Sequence, residues 1–480
     1  MNRKSFIDAI WFILLIFLPF TSLPLASLVL QSDMVAAPSI IPLILLGLVW
    51  FIPTFFRRNL NDISLPLLIF LIFCILGSVI TLFTNIPIQK NFSVTGNMIE
   101  AYGTLIIGIA FFIIPAHYIN SQTKANQTVK IIYWTFLPIF MWSILQFSLE
   151  RLMGGYPSWM EQIQRYFSTS GLLYRGRVTG FAYEPSWLAH QLNILFIPLF
   201  LGTSLSGYSI FNKRIVLLSV ENILLFCSIL LLFLTKSRIG WVSFAFCMIY
   251  VFLFLYKYLF QKLRSKFASI NHKIWKVIFP LVFSIIILIV IVTGLFVSSK
   301  IDPRMETVFK VETYKNRDLF SIANNFFFAE RILYWQTGWE IFNDHPILGV
   351  GLGNFGFYFQ QYMPNFASAL DEPREILFRA NYQANNKNLW TRLLSETGII
   401  GFILFISWLI ILWIQGSELL KNSKHEISFW GHVMKIAIIA LIFEGFSVDS
   451  FALPYYWIIL GISSAIFYLC MNKQYTNPAK

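Results

Sequence analysis

Asp344-His345-Pro346-Ile347-Leu348-Gly349-Val350-Gly351-Leu352-Gly353-Asn354-Phe355 and, further on, Lys387-Asn388-Leu389-Trp390-Thr391-Arg392-Leu393-Leu394-Ser395-Glu396-Thr397-Gly398 decide how this chain is read. Pro346 cannot continue a helix, and the Gly-x-Gly-x-Gly spacing lets backbone turn sharply or approach another group closely. Gly349, Gly351 and Gly353 are expected to shape the loop against the rest of the protein rather than to cradle a phosphate. The second stretch runs straight into an apolar helix, so Lys387 and Arg392 stand at the mouth of a membrane span, where a charge is costly to hold. Ahead of both, Arg331 to Phe342 carries apolar residues at 332, 335, 339 and 342, a spacing that predicts an amphipathic helix. The region from Ala329 to Gly401 is therefore where polar chemistry meets membrane-length apolar runs, and it is a candidate site.

Working outward, hydrophobic residues make up 57% of the 480 and charged residues 12%, with a mean hydropathy of +0.67. Soluble domains carry about 25% charged residues, so the chain reads as an all-α integral membrane protein. The net charge of +13 has its ordinary explanation in Lys and Arg flanking the spans, which leaves no reason to invoke nucleic acid. Cys74, Cys227, Cys247 and Cys470 all fall in apolar runs, which speaks against a disulfide framework. No His/Cys/Asp/Glu group has metal-ligand spacing, and nothing in the chain asks for a nucleotide cofactor.

Apolar stretches of about 20 residues predict twelve spans, near 9–30, 40–56, 65–83, 102–119, 131–149, 187–204, 216–235, 239–256, 277–298, 389–414, 433–447 and 451–470. The run from Ala9 to Leu30 is too long for a signal peptide and is taken as the first span. The short loops set the orientation. Arg3, Lys4, Arg57, Arg58, Lys124, Lys213, Arg214, the cluster Lys257 to Lys276, Lys421, Lys424 and the tail residues Lys473 and Lys480 share one side, which predicts both termini in the cytoplasm. The chain then divides into a nine-span region, 1–298, with an outside loop at 150–186; a large extracytoplasmic loop, 299–388, containing amphipathic helices; and three C-terminal spans in 389–480. The large loop carries nine Lys/Arg against ten Asp/Glu, and loops of that length are usually functional.

Several cations break the rule. Arg151, Arg165, Arg175 and Arg177 lie in the outside loop at 150–186, before the sixth span, and Lys236 and Arg238 in a turn only a few residues long between two spans. With Lys387 and Arg392 they gather basic charge on the face where it is normally scarce. An anionic ligand at that interface accounts for them, and a polyprenyl pyrophosphate, with phosphates at headgroup level and tail in lipid, is one.

These residues carry a resemblance. Arg177-Val178-Thr179-Gly180-Phe181 with Glu184-Pro185-Ser186 comes first, and Ser237-Arg238 then opens a span. Arg331 and Trp335 precede His345-Pro346-x-x-Gly349-x-Gly351-x-Gly353-Asn354-Phe355, and Lys387-Asn388 leads to Glu396-x-Gly398. In that order, with about twelve spans and a large external loop late in the chain, the sequence resembles the O-antigen polymerase and ligase superfamily, bacterial membrane glycosyltransferases of GT-C type. The resemblance covers about 175 to 401, while the first five spans match only in kind. One position departs: the family usually has His-Asn where this chain has Lys387-Asn388.

The resemblance implies metal-independent, inverting transfer of a glycan from undecaprenyl pyrophosphate to a hydroxyl of a glycan or lipid acceptor, at the outer face of the bacterial cytoplasmic membrane. Arg177 and Arg238 are expected to hold the leaving pyrophosphate, because the planar guanidinium pairs two phosphate oxygens and stays charged near lipid. Lys387 is either the general base in place of the family histidine or a second phosphate anchor. Glu184 is either a base or a partner orienting an arginine. Arg331, His345, Asn388, Arg392 and Lys236 complete the expected substrate-binding set, with a structural role for His345 in the turn as the competing reading. Trp335 and Trp390 are candidates to stack on sugars. The Glu-Pro-Ser segment and the missing histidine favour a polymerase over a ligase. A lipid-linked oligosaccharide flippase would call for repeated halves and mid-membrane ionisable residues; no repeat is present, and His190, Glu221 and Glu444 are scattered.

Overall fold

The computed structural model describes residues 3–30, 36–55, 62–215, 218–267, 272–302, 328–379 and 381–472. Residues 303–327 of the large loop, and Arg57, Arg58, Lys473 and Lys480 used above for orientation, lie outside them. The described chain is a helical bundle whose strands amount to one antiparallel pair, with Arg214 opposite Ser219 and Ile215 opposite Leu218.

Among the described residues, eight helices are long and apolar enough to cross a membrane: Val94–Tyr118, Gln122–Met153, Pro185–Ser206, Arg238–Lys266, Lys273–Ile301, Leu389–Leu420, His425–Glu444 and Pro454–Met471. Three shorter apolar helices, Ile40–Phe55, Leu65–Thr81 and Val220–Leu234, fall on three further expected spans. The first expected span is different. Residues 9–30 form helix Arg3–Phe17 and a separate two-turn helix, Pro24–Leu30, because Pro19 and Pro24 interrupt the apolar run. Other helices outrun their apolar windows, since polar first turns are capped rather than lipid-exposed. Ser93 accepts from Gly96 N and Ser121 from Lys124 N, starting their helices well before residues 102 and 131.

Helix Leu389–Leu420 is broken at Gly398, which sits at φ 63 and ψ −170. The break frees carbonyls, and the glycine-rich turn supplies their donors: Val350 N to Ser395 O at 2.8 Å and Gly351 N to Glu396 O at 3.0 Å. In return Ile399 N donates to Pro346 O at 2.8 Å. Irregular backbone beside a membrane persists only where its polar groups are paired in this way. The fit leaves no room for side chains: a Cβ on Gly349 would stand 2.5 Å from the Glu396 carbonyl carbon, and one on Gly351 2.4 Å from Thr81 Oγ1. The three glycines seat the turn against the bundle, as the sequence predicts.

Two hydrophobic cores result among the described residues. The larger fills the bundle. The smaller joins Leu333, Tyr334, Ile341, Val350, Phe355, Phe359 and Ile376, with Ile86, Phe92 and Val94 packed against it. The segment after residue 328 therefore packs around its own core and is tied to the loop ahead of helix Val94–Tyr118, where Lys90 Nζ donates to Ile376 O at 2.7 Å. Helix Ala329–Asp344 covers the expected amphipathic stretch, but its buried face is Leu333, Tyr334, Thr337, Gly338 and Ile341 rather than 332, 335, 339 and 342. Gly338 is the reason: a Cβ there would meet Asn386 Oδ1 at 2.6 Å, so this face packs closest on the bundle. Trp339 is left 50% exposed.

Candidate active site

Arg177, of the loop at 150–186, meets the Thr235–Arg238 turn. Val178 N donates to Leu234 O at 3.2 Å, and Arg177 Nε donates to Thr235 O at 2.9 Å. Lys236 Nζ packs against Gly176, 3.1 Å from where a Cβ would stand. Ser237 caps the following helix by accepting from Gly240 N, which sets Arg238 at its first position. The loop itself is held from behind. Gln146 Oε1 accepts from Thr179 N at 3.0 Å and Gly180 N at 3.2 Å, and Gln164 Nε2 donates to Gly180 O at 3.3 Å. Arg177, Lys236 and Arg238 are thus brought together on rigid supports, at the end of two helices that run into the bundle.

A second group is acidic. Glu184 precedes helix Pro185–Gln191 and accepts a hydrogen bond from Ser186 Oγ. Arg331, on the first turn of helix Ala329–Asp344, lies within electrostatic reach of Glu184, Glu444, Glu330 and Glu372. Burial pushes its guanidinium below the ordinary value while those four carboxylates hold it up. Burial, then Glu372, raises the Glu330 carboxyl, with Lys387 opposing. Lys387 forms an ion pair with Glu372 and stands 4.7 Å from the centroid of the Tyr334 ring. These are the partners of a cation. Arg331 is thus surrounded by carboxylates.

Lys236 and Lys387 share a further property. Of the four non-glycine residues at positive φ among the described residues, two are these candidates, at φ 47 and 49. Such strain persists where the surroundings over-determine it, and it concentrates at functional positions.

Other expected residues have structural work. Asn388 is buried and its side-chain oxygen caps the next helix, accepting from Trp390 N at 2.8 Å and Thr391 N at 3.3 Å. Arg392 donates to Glu396 Oε2 at 2.9 Å and to Asp449 O at 2.7 Å, and its guanidinium lies over Phe451. His345 closes the external helix: its amide donates to Ile341 O, its carbonyl accepts from Gly349 N, and its ring meets Tyr358 edge-on. Trp390 is buried, donates Nε1 to Ile442 O at 2.9 Å and packs among Phe402, Phe405 and Phe446, out of reach of a sugar. Trp335 packs between Phe328 and Phe446. Glu221, counted as a mid-span group, instead holds the loop before its helix, accepting from Ser209 Oγ, Ile210 N and Phe211 N.

His190 and Glu444, scattered in sequence, are partners in space. His190 Nε2 lies 3.1 Å from Glu444 Oε2, with both side chains fully buried. Glu372, which no sequence signal singled out, reaches Lys387 from helix Asp371–Phe378. Among the described residues no three His, Cys, Asp or Glu side chains could share a metal ion.

Residues 223–406 match the family model described as O-antigen ligase. No curated protein matches the chain. The matched segment includes Arg238, Arg331, His345, Lys387, Asn388 and Arg392, and ends before Arg177 and Glu184 are reached on its N-terminal side.

Proposed function

We propose, from the match of residues 223–406 to the O-antigen ligase family model, that this membrane protein transfers a polyprenyl-pyrophosphate-linked glycan to an acceptor hydroxyl, extending polysaccharide repeat units as a polymerase. The observation that carries the reading is the meeting of Arg177 with the Thr235–Arg238 turn, which gathers three cations at the end of apolar helices. A pyrophosphate there has its charge beside arginine forks and its tail beside lipid. Donor binding, on this reading, belongs to the basic group, and acceptor sugar to the acidic group around Arg331.

The chemistry follows from that division. The acceptor hydroxyl oxygen forms a bond to the anomeric carbon as the bond to the pyrophosphate oxygen breaks on the opposite face, inverting the centre. Charge grows on the leaving pyrophosphate, and Arg177, Arg238 and Lys236 offset it without reorganising. The hydroxyl proton goes to Glu184. Lys387 serves as a cation, because its ammonium is engaged by Glu372 and by the Tyr334 ring; this answers the departure from the family histidine. The reaction needs no metal, and the active face lies outside the cytoplasmic membrane with both termini within.

The test is glycan transfer by purified protein in detergent, with a lipid-pyrophosphate-linked glycan and EDTA present, and acceptor lipid supplied or withheld. A ladder of longer lipid-linked glycans, reduced about 10²-fold or more by Arg177→Ala and by Arg238→Ala, is the expected result. A single product formed only with added acceptor makes the protein a ligase. No transfer by folded protein under either condition turns the reading towards a flippase.

A further inference from the structure

Inside the bundle, the elements that carry candidate site residues converge on one carboxylate. Glu444 ends helix His425–Glu444 and is fully buried. Its Oε1 accepts from Asn193 Nδ2 at 2.6 Å, and its Oε2 faces His190 Nε2 at 3.1 Å. His190 lies in the helix that Glu184 precedes, and Asn193 in the π-turn that follows it, Leu192–Phe196. Such turns are rare and recur at functional sites. The Asn193 amide also donates to Gly240 O at 2.8 Å, in the first turn of the helix that Arg238 begins. One residue past Glu444, Gly445 O accepts from Leu389 N at 2.7 Å, beside Lys387 and Asn388. Arg331 lies within electrostatic reach of the carboxylate. Its helix is fixed there by Trp335, one turn on, whose ring packs 5.6 Å from that of Phe446.

A tie between helices needs only a hydrogen-bond acceptor, which glutamine supplies. Burying a carboxylate instead costs several kcal/mol unless its charge is used, and an ionisable group within a membrane bundle marks function by default. Arg331, which comes from helix Ala329–Asp344 rather than from a membrane-length helix, is a cation within electrostatic reach of this carboxyl group.

We propose that Glu444 is a positioning residue for glycan transfer, holding Arg331 beside Glu184 and, through His190 and Asn193, fixing the helix starts at Glu184 and Arg238 relative to one another. This rests on the reading of the site as a polyprenyl-pyrophosphate-dependent transferase. A misplacement of about 1 Å is enough to cost 10²-fold in rate, so replacing the carboxyl group acts on turnover more than on donor affinity.

The experiment compares wild type, Glu444→Gln, Glu444→Asp, Arg331→Gln and the Glu444→Gln/Arg331→Gln double variant in the transfer assay, with thermal unfolding in detergent alongside. Glu444→Gln is expected to lower kcat about 10²-fold with KM for the donor little changed, and Glu444→Asp to recover part of the loss. The double variant is expected to be no slower than Arg331→Gln alone, as for two groups acting through one. Wild-type kcat in Glu444→Gln, or losses that multiply in the double variant, overturns the proposal. Should Glu444→Gln fail to fold, His190→Gln takes its place in the same cycle under the same criteria. Absence of transfer by wild type rejects the transferase reading and this proposal with it, whereas active wild type beside an indifferent Glu444→Gln rejects the proposal alone.

Discussion

Lys387 is fixed at both ends: its amide donates to Asp449 Oδ2 at 3.1 Å, while its ammonium stands 4.7 Å from the centroid of the Tyr334 ring and pairs with Glu372. The residue joins the third-last helix of the bundle to the external segment as a charged strut. If it acts as a cation, Lys387→Arg retains transfer within about tenfold, and Lys387→Ala loses about 10²-fold. A general base cannot be replaced by arginine, which stays protonated. Equal loss in both variants, measured as kcat/KM, would return the base role to Lys387.

Gly398 is the point where a helix is broken so that the glycine-rich turn can dock. Its φ of 63 and ψ of −170 fall in a region essentially reserved for glycine, and a Cβ would stand 2.2 Å from Ile347 O. Gly398→Ala is expected to destabilise by about 3 kcal/mol, seen as a lower Tm in detergent. Gly294→Ala, where a Cβ meets nothing within 4 Å, serves as the control and should leave Tm unchanged or slightly raised.

Arg392 and Glu396 form an ion pair in which the two side chains keep 13% and 4% of their exposure. Arg392→Ala leaves the Glu396 carboxylate without its guanidinium and is expected to cost about 3–5 kcal/mol. Arg392→Ala/Glu396→Ala should be less damaging than the sum of the two single variants. Unfolding midpoints of the three proteins decide it; full additivity would mean the pair is not coupled.

Glu330 makes stability depend on pH. Burial, then Glu372, holds its carboxyl above the ordinary range, so folding favours the protonated form. The group costs nothing below the ordinary carboxylate range. The cost appears as pH rises through that range towards the raised value, and it persists above it. Glu330→Gln is therefore expected to match wild type in Tm near about pH 4 and to exceed it near about pH 8. A Tm advantage confined to low pH would reverse the assignment.

Much of this architecture is legible in the sequence because lipid imposes length and hydropathy on each span. The docking role of Gly349, Gly351 and Gly353 follows from their spacing after Pro346. What is hidden has physical causes. The break at Gly398 lies inside a run that hydropathy reads as one helix, and only backbone dihedrals reveal it. The buried face of helix Ala329–Asp344 is misjudged because Trp335 and Trp339 look like core residues, whereas Thr337 and Gly338 are buried for their small size. His190 and Glu444 meet across 254 positions, and Asn193 meets Glu444 across 251, separations over which no periodicity carries information. Glu372 is missed for the same reason, since its partner Lys387 lies on another element.

The helix that delivers the Thr235–Arg238 turn is short. Val220–Leu234 has 15 residues, about 22 Å at 1.5 Å each, against a hydrocarbon layer of about 30 Å. Leu65–Thr81, with 17 residues, is about 25 Å. Crossing on such lengths asks the bilayer to thin locally. On the proposed transferase reading, a surface thinned in this way would lower the headgroup of a lipid-linked donor towards Arg177 and Arg238. The sorting of this protein among membranes of different thickness then becomes a matter of how readily the surrounding lipid yields.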